Sequence, residues 1–101
     1  MFVRIVHHWC RPGMVQAGRE FSDRVGALTS AAPGFMYRYR LETVEDPLLL
    51  TTFSVWRDRM SFDEFQSGRK PADHSDPSYP FDRMTHQAFD VTATVESAAS
   101  G

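Results

Sequence analysis

The chain has 101 residues, of which 42% are hydrophobic and 24% charged, with a net charge of −2 at neutral pH; this balance is that of one folded domain and argues against disorder. Its basic residues are scattered along the chain, ten arginines and the single lysine Lys70, so no basic run supplies the footprint of a nucleic-acid binder. No stretch approaches the ~20 apolar residues of a membrane span, and with Cys10 as the one cysteine, neither an intramolecular disulfide nor a cysteine-based zinc site can form.

A domain of this size buries roughly 60–65% of its unfolded surface, so a second copy is a plausible source of further burial. The chain runs directly into Phe2-Val3-Arg4-Ile5-Val6 without a charged leader or a small-residue cleavage site, and a cytoplasmic location is expected.

Residues 1–9 alternate as a strand does, with Val3, Ile5, His7 and Trp9 on one side and Phe2, Arg4, Val6 and His8 on the other. Arg11-Pro12-Gly13 ends this strand. Met14, Ala17, Phe21, Val25 and Leu28 then recur at spacings of three and four, the stripe of an amphipathic helix over about 13–30. Ser30 to Gly34 breaks that helix, since proline cannot continue it and glycine supplies a turn. Strand two follows from Phe35 to Glu42, with bulky Phe35, Tyr37, Tyr39 and Leu41 on a side expected to be buried. Met36, Arg38, Arg40 and Glu42 lie on a side that is wet or meets a polar site.

Val44 to Pro47 makes a hairpin connection. Leu48 to Trp56 is a nearly continuous apolar strand, as expected of one central in its sheet. Ser61 and Glu64 form an S-x-x-E capping box that opens a short helix presenting Phe62 and Phe65 inward. Residues 67–82 hold three prolines and many small polar side chains, a loop of the length used for lids and binding segments. Met84 to Val95 resumes a strand, and 96–101 is expected to be a frayed tail. One domain over 1–95 is thus expected.

The order βαββαβ packs as a four-stranded antiparallel sheet with two helices on one face, an α+β, ferredoxin-like fold. Apolar side chains on both faces of strand three leave the other face in need of cover, which a twofold dimer closing a barrel-like pair of sheets would supply.

With Pro33-Gly34-Phe35 opening strand two, Val55-Trp56 ending strand three and the Ser-capped short helix, residues 1–95 resemble the antibiotic biosynthesis monooxygenase family of dimeric α+β barrels. The resemblance implies a homodimer with a pocket between sheet and helices in each subunit. It also implies oxidation of aromatic polyketide-like phenols or anthrones by O2, without metal, flavin or haem. That chemistry is coherent, because a deprotonated phenol or anthrone is electron-rich enough to reduce O2 and the protein need only bind, deprotonate and shield it.

Trp56 matches the tryptophan that such quinone-forming enzymes place in the pocket, and alternation puts Thr52 and Ser54 on the same face of strand three. Thr52 stands where the studied anthrone oxidases carry asparagine, and Phe62 where they carry tyrosine. In the haem-degrading branch of the superfamily, the axial histidine would fall near Ser75, beside His74; the helix tryptophan corresponds to Phe65 and the strand-one asparagine to about Val6.

Each singled-out residue also has a plainer reading. Trp56 is a pocket wall or an ordinary core aromatic. His7 and His8 are adjacent, so a strand sends them to opposite sides and at most one reaches a pocket; that one is the candidate base, since an unperturbed pKa near 6.5 suits proton transfer. His74, Arg69 and Lys70 close over an anionic substrate or are simply solvated. Tyr37 and Tyr39 suit packing better than catalysis, and Cys10 has no evident activating base. His86 and Asp90 share a face but lie about 13 Å apart along it, and the histidines show no metal-ligand spacing. Cofactor-free monooxygenation is thus the first reading. A polyketide cyclase or similar lyase on the same scaffold, and a non-catalytic ligand-binding dimer, are the alternatives.

Overall fold

Four strands, β1 (Phe2–Cys10), β2 (Phe35–Thr43), β3 (Asp46–Trp56) and β4 (Phe81–Asp90), alternate with α1 (Val15–Ser30) and α2 (Arg59–Ser67). The computed structural model describes residues 1–99. The sheet order is β2-β3-β1-β4, with every neighbouring pair antiparallel. This is the ferredoxin-like βαββαβ arrangement expected from the sequence.

Register decides which side chains meet the helices. β1 and β3 align Phe2 with Trp56, Arg4 with Ser54, Val6 with Thr52 and His8 with Leu50, and residues directly opposite share a face. Both helices lie on this face. Gly18 of α1 sits so close to the sheet that a Cβ there would meet Cys10 Sγ at 2.8 Å and Leu50 Cδ1 and Phe81 Cε1 at 3.1 Å. Phe62 of α2 packs on Phe2 and Trp56. Two clusters result, Cys10, Leu50, Tyr79 and Phe81 under α1, and Phe2, Trp56 and Phe62 under α2.

The buried face of α1 differs from the expected apolar stripe. Gly18, Ser22 and Thr29 are buried, whereas Leu28 is 62% exposed. Small residues win these positions because the helix lies against a row of large sheet side chains and needs close approach more than bulk.

On β2 the charged face is the one that meets a polar site, and the bulky face expected to be buried is exposed in the single chain. Arg38, Arg40 and Glu42 point to the helix side: Arg38 donates to Ser22 Oγ at 3.0 Å and Ser22 O at 3.2 Å, while Arg40 pairs with Asp23 at 2.6 Å and Glu42 with Arg19 at 2.8 Å. Tyr37, Tyr39 and Leu41 face outward and are 44%, 54% and 50% exposed. An irregularity between Phe35 and Tyr37 returns Phe35 to the helix side, against Trp56. Charged side chains take the inner face because long arginines at the sheet edge reach the polar groups of α1.

Three boundaries differ as well. α2 is capped by Asp58, whose carboxylate accepts from Ser61 N at 2.8 Å and Ser61 Oγ at 2.7 Å. Ser61 is therefore the third helical residue and not the cap, because a carboxylate three residues upstream already satisfies its N–H. β4 begins at Phe81, which pairs with Cys10 across a bulge. It ends at Asp90 and not Val95: Asp90 pairs with Phe2, the first residue of β1, and Val91 N donates to Met1 O at 2.9 Å. Residues 91–99 form no strand, and residues 100 and 101 of the expected tail lie outside the described residues. No helix among the described residues is long and apolar enough to cross a membrane.

Candidate functional site

The helix face of the sheet, the inner sides of α1 and α2, residues 69–72 and His74 border a cavity of about 240 Å3. This lies just under the range of ~300–1,000 Å3 common to sites for drug-sized ligands. The walls are largely aromatic. Trp56 is 1% exposed and touches Phe35, Phe62 and Phe65 with ring centroids 5.4, 5.5 and 5.4 Å away. At the other end Phe21 meets Tyr79 and Phe81 edge-on at 5.7 and 5.5 Å. Val6 and Thr52, opposite each other on β1 and β3, form the floor between.

His8 enters this cavity from β1 and lies on Phe81, with centroids 4.4 Å apart. Burial lowers its pKa from 6.5 to about 4, and the positive charges of Arg38 and Arg69 push in the same direction. The imidazole is therefore neutral at neutral pH and able to accept a proton.

The cavity is cationic. Arg4, Arg38, Arg69 and Lys70 line it, and no lining residue is acidic. Arg4 lies over the Phe62 ring at 5.0 Å, and its Nε is buried without a hydrogen-bond partner among the described residues. Arg38 is braced by its two bonds to Ser22. Burial lowers the pKa of both guanidiniums, which nonetheless remain charged. Between their strands stands Ser54, whose Oγ accepts from Trp56 Nε1 at 3.1 Å.

Of the sequence-derived candidates, His8, Thr52, Ser54, Trp56, Phe62, Phe65 and His74 all line the cavity. His7 does not. It lies on the outer face, hydrogen-bonded through Nδ1 to Thr51 Oγ1 at 2.8 Å and 6.0 Å from the Trp9 ring. Trp56 is at once cavity wall and core aromatic, which joins its two readings. His74 stacks on Tyr79 at 4.7 Å, and its backbone carbonyl accepts from Arg11 Nη2, so the long loop is tied to the mouth of the cavity. Cys10 is buried in the core, and burial raises the pKa of its thiol. Among the described residues no group of three His, Cys, Asp or Glu side chains is placed to hold a metal.

Arg4 and Arg38 did not emerge from the sequence as site residues. Their signal was present in the alternation itself, which puts Arg4 on one side with Phe2, Val6 and His8, a charge amid a face otherwise suited to burial.

Residues 1–73 match the family model described as antibiotic biosynthesis monooxygenase. No curated protein is similar enough in sequence to be matched. Among solved structures, SnoaB, a cofactor-independent oxygenase from Streptomyces nogalater, is 18% identical with a TM-score of 0.71, over 95% of this chain and 98% of its own. NE2512, a protein of unknown function from Nitrosomonas europaea, is 16% identical with a TM-score of 0.74, over 96% of this chain and 94% of its own. Rv0793 from Mycobacterium tuberculosis is 19% identical with a TM-score of 0.68, over 97% and 98%. At such identities these likenesses establish the fold. The family model spans well over half of the chain, and the chain belongs to the antibiotic biosynthesis monooxygenase family.

Proposed function

We propose that the protein is a cofactor-independent monooxygenase that oxidises an aromatic, polyketide-like or quinol substrate with O2, working as a cytoplasmic homodimer in secondary metabolism. The observation that carries this reading is the placement of one neutral, desolvated histidine, His8, in an aromatic-walled cavity that also contains Trp56 and the hydroxyls of Thr52 and Ser54. Family membership and the likeness to SnoaB support it.

The chemistry asks little of the protein. His8 takes a proton from an activated ring position of an anthrone-like CH2. The resulting carbanion passes one electron to O2, and superoxide recombines at the carbon radical. Proton return gives a hydroperoxide, which loses water to leave a ketone, so one O2 is consumed and one water released for each CH2 converted to C=O. A low pKa makes His8 a weak base in the empty site. As an oxyanion develops beside it the pKa rises, and Arg69 holds that oxyanion. The aromatic walls orient the ring and exclude water.

The dimer rests on the outer sheet face. Tyr37, Tyr39, Leu41 and Phe53 make a contiguous, solvent-facing aromatic and apolar patch, with Tyr39 5.7 Å from Tyr37 and 6.4 Å from Phe53. Such patches mark protein interfaces, and a second copy closes this one symmetrically.

The test is incubation with an anthrone under 18O2. One labelled oxygen in the quinone, at a rate above that of buffer, supports the reading. Equal turnover under argon would replace it with cyclase chemistry, and binding without turnover with a ligand-binding role.

A further inference from the structure

The register places three polar side chains in one transverse row across the helix face: Arg38 on β2 opposite Ser54 on β3, and Ser54 opposite Arg4 on β1. Neighbouring strands lie about 4.8 Å apart, so the two arginines leave the sheet roughly 10 Å from one another with the serine between them. All three line the cavity.

Each member of the row has unused capacity. Arg4 Nε is buried and unpartnered among the described residues, and a buried N–H of a charged group without an acceptor is costly. The carboxylate whose charge acts on Arg4, that of Asp63, pairs with Arg59 at 3.6 Å. Arg38 spends its two hydrogen bonds on the neutral Ser22, and although the charge of Asp23 acts on it, no carboxylate among the described residues lies within salt-bridge distance. Ser54 Oγ accepts from Trp56, and its own hydrogen has no acceptor among the described residues. A cavity lined by two guanidiniums and a serine hydroxyl, with no acid among its lining residues, is complementary to an anion.

We infer that the Arg38–Ser54–Arg4 row is a carboxylate-binding subsite and that the substrate is an aromatic acid, held by its carboxylate in this row with its reacting ring carbon toward His8. The inference rests on the reading of this cavity as the substrate site. His8 lies four residues from Arg4 on the same face of β1, about 13 Å along the strand, a distance that a fused-ring acid bridges once the side chains reach inward. Val6 and Thr52 then lie under the rings. Arginine suits the role because its planar fork offers a carboxylate two parallel donors and stays charged when buried. Anchoring at the end remote from His8 fixes which ring carbon meets the base, so the row sets regiochemistry as well as affinity.

The test is calorimetric titration of the whole protein with three probes on one scaffold, 2-naphthoate, 2-naphthamide and 2-naphthol, at neutral pH. The expected result is that naphthoate binds at least tenfold tighter than either neutral probe. Arg4→Gln should remove most of that preference and Arg4→Lys restore part of it. Arg38→Gln also loosens α1, so Arg4 is the decisive position, with the thermal midpoint of each variant measured alongside. Equal binding of the three probes, binding of none, or a preference unchanged in Arg4→Gln would overturn the inference. A carboxylate preference in a protein that consumes no O2 with an anthrone acid would leave the subsite standing and refute the monooxygenase reading instead.

Discussion

The imidazole of His8 lies against the ring of Phe81, 4.4 Å between centroids, on the side of the sheet opposite its sequence neighbour His7. This contact keeps His8 dry. With a pKa lowered to about 4 it is neutral in the folded chain over a range where the unfolded chain takes up a proton near pH 6.5. Above pH 6.5 the two states bind equally few protons at this site. Between about pH 6.5 and 4 the unfolded chain is protonated and the folded chain is not, so stability falls as pH drops, by on the order of 3 kcal/mol. Denaturant melts at stepped pH should show this loss, and His8→Asn should abolish that share of it. For the same reason kcat/KM should stay flat down to about pH 5 and fall only with an apparent pKa near 4.

Gly18 lets α1 lie against Cys10, Leu50 and Phe81. Gly18→Ala should cost about 1–3 kcal/mol, because the three sheet side chains that a Cβ would meet are themselves buried and have little room to yield. The check is a thermal midpoint, which should fall by roughly 4–8 °C per kcal/mol for a domain of this size.

Gly34 has φ +83°, and a Cβ there would collide with the Ser61 side chain. Its carbonyl also accepts from Arg57 N at 2.7 Å, tying the β2 entry to the end of β3. Gly34→Ala should destabilise by about 1–2 kcal/mol from backbone strain and by more from the clash, read by chemical denaturation.

Trp56 joins core and cavity, so its substitutions should separate the two roles. Trp56→Ala should cost about 3–5 kcal/mol in stability. Trp56→Phe should keep most of the stability but lose the indole N–H that bonds Ser54, raising KM for an aromatic acid more than it lowers kcat. Parallel measurements of melting and steady-state kinetics decide this.

On the outer sheet face, the proposed dimer predicts that wild type runs as a dimer and Tyr39→Glu as a monomer, since the substitution places a carboxylate in the middle of the apolar patch. Light scattering coupled to gel filtration reports the mass. An unchanged dimer would move the interface to another surface.

Most of the fold was legible because period-two and period-3.6 patterns mark strands and helices without reference to partners, and βαββαβ leaves few ways to pack them. What escaped depended on partners. The orientation of β2 could not be read from its own alternation, since a face of tyrosines and a face of arginines are each plausible inside; the reach of Arg38 and Arg40 to α1 decides it. Asp58 as helix cap was masked by the better-known Ser61–Glu64 spacing. The cavity's aromatic wall was visible around Trp56. Arg4 and Arg38 become site residues only once the register sets them either side of Ser54.

Oxygen uptake by metal-stripped protein given an anthrone, compared between wild type, His8→Asn and His7→Asn, bears hardest on the function proposed for the cavity. A general base contributes roughly 100- to 10,000-fold. Uptake should fall by at least 100-fold in His8→Asn and stay near wild type in His7→Asn, whose side chain lies on the other face of the sheet. Uptake that never exceeds the spontaneous rate, or that survives in His8→Asn, would contradict it.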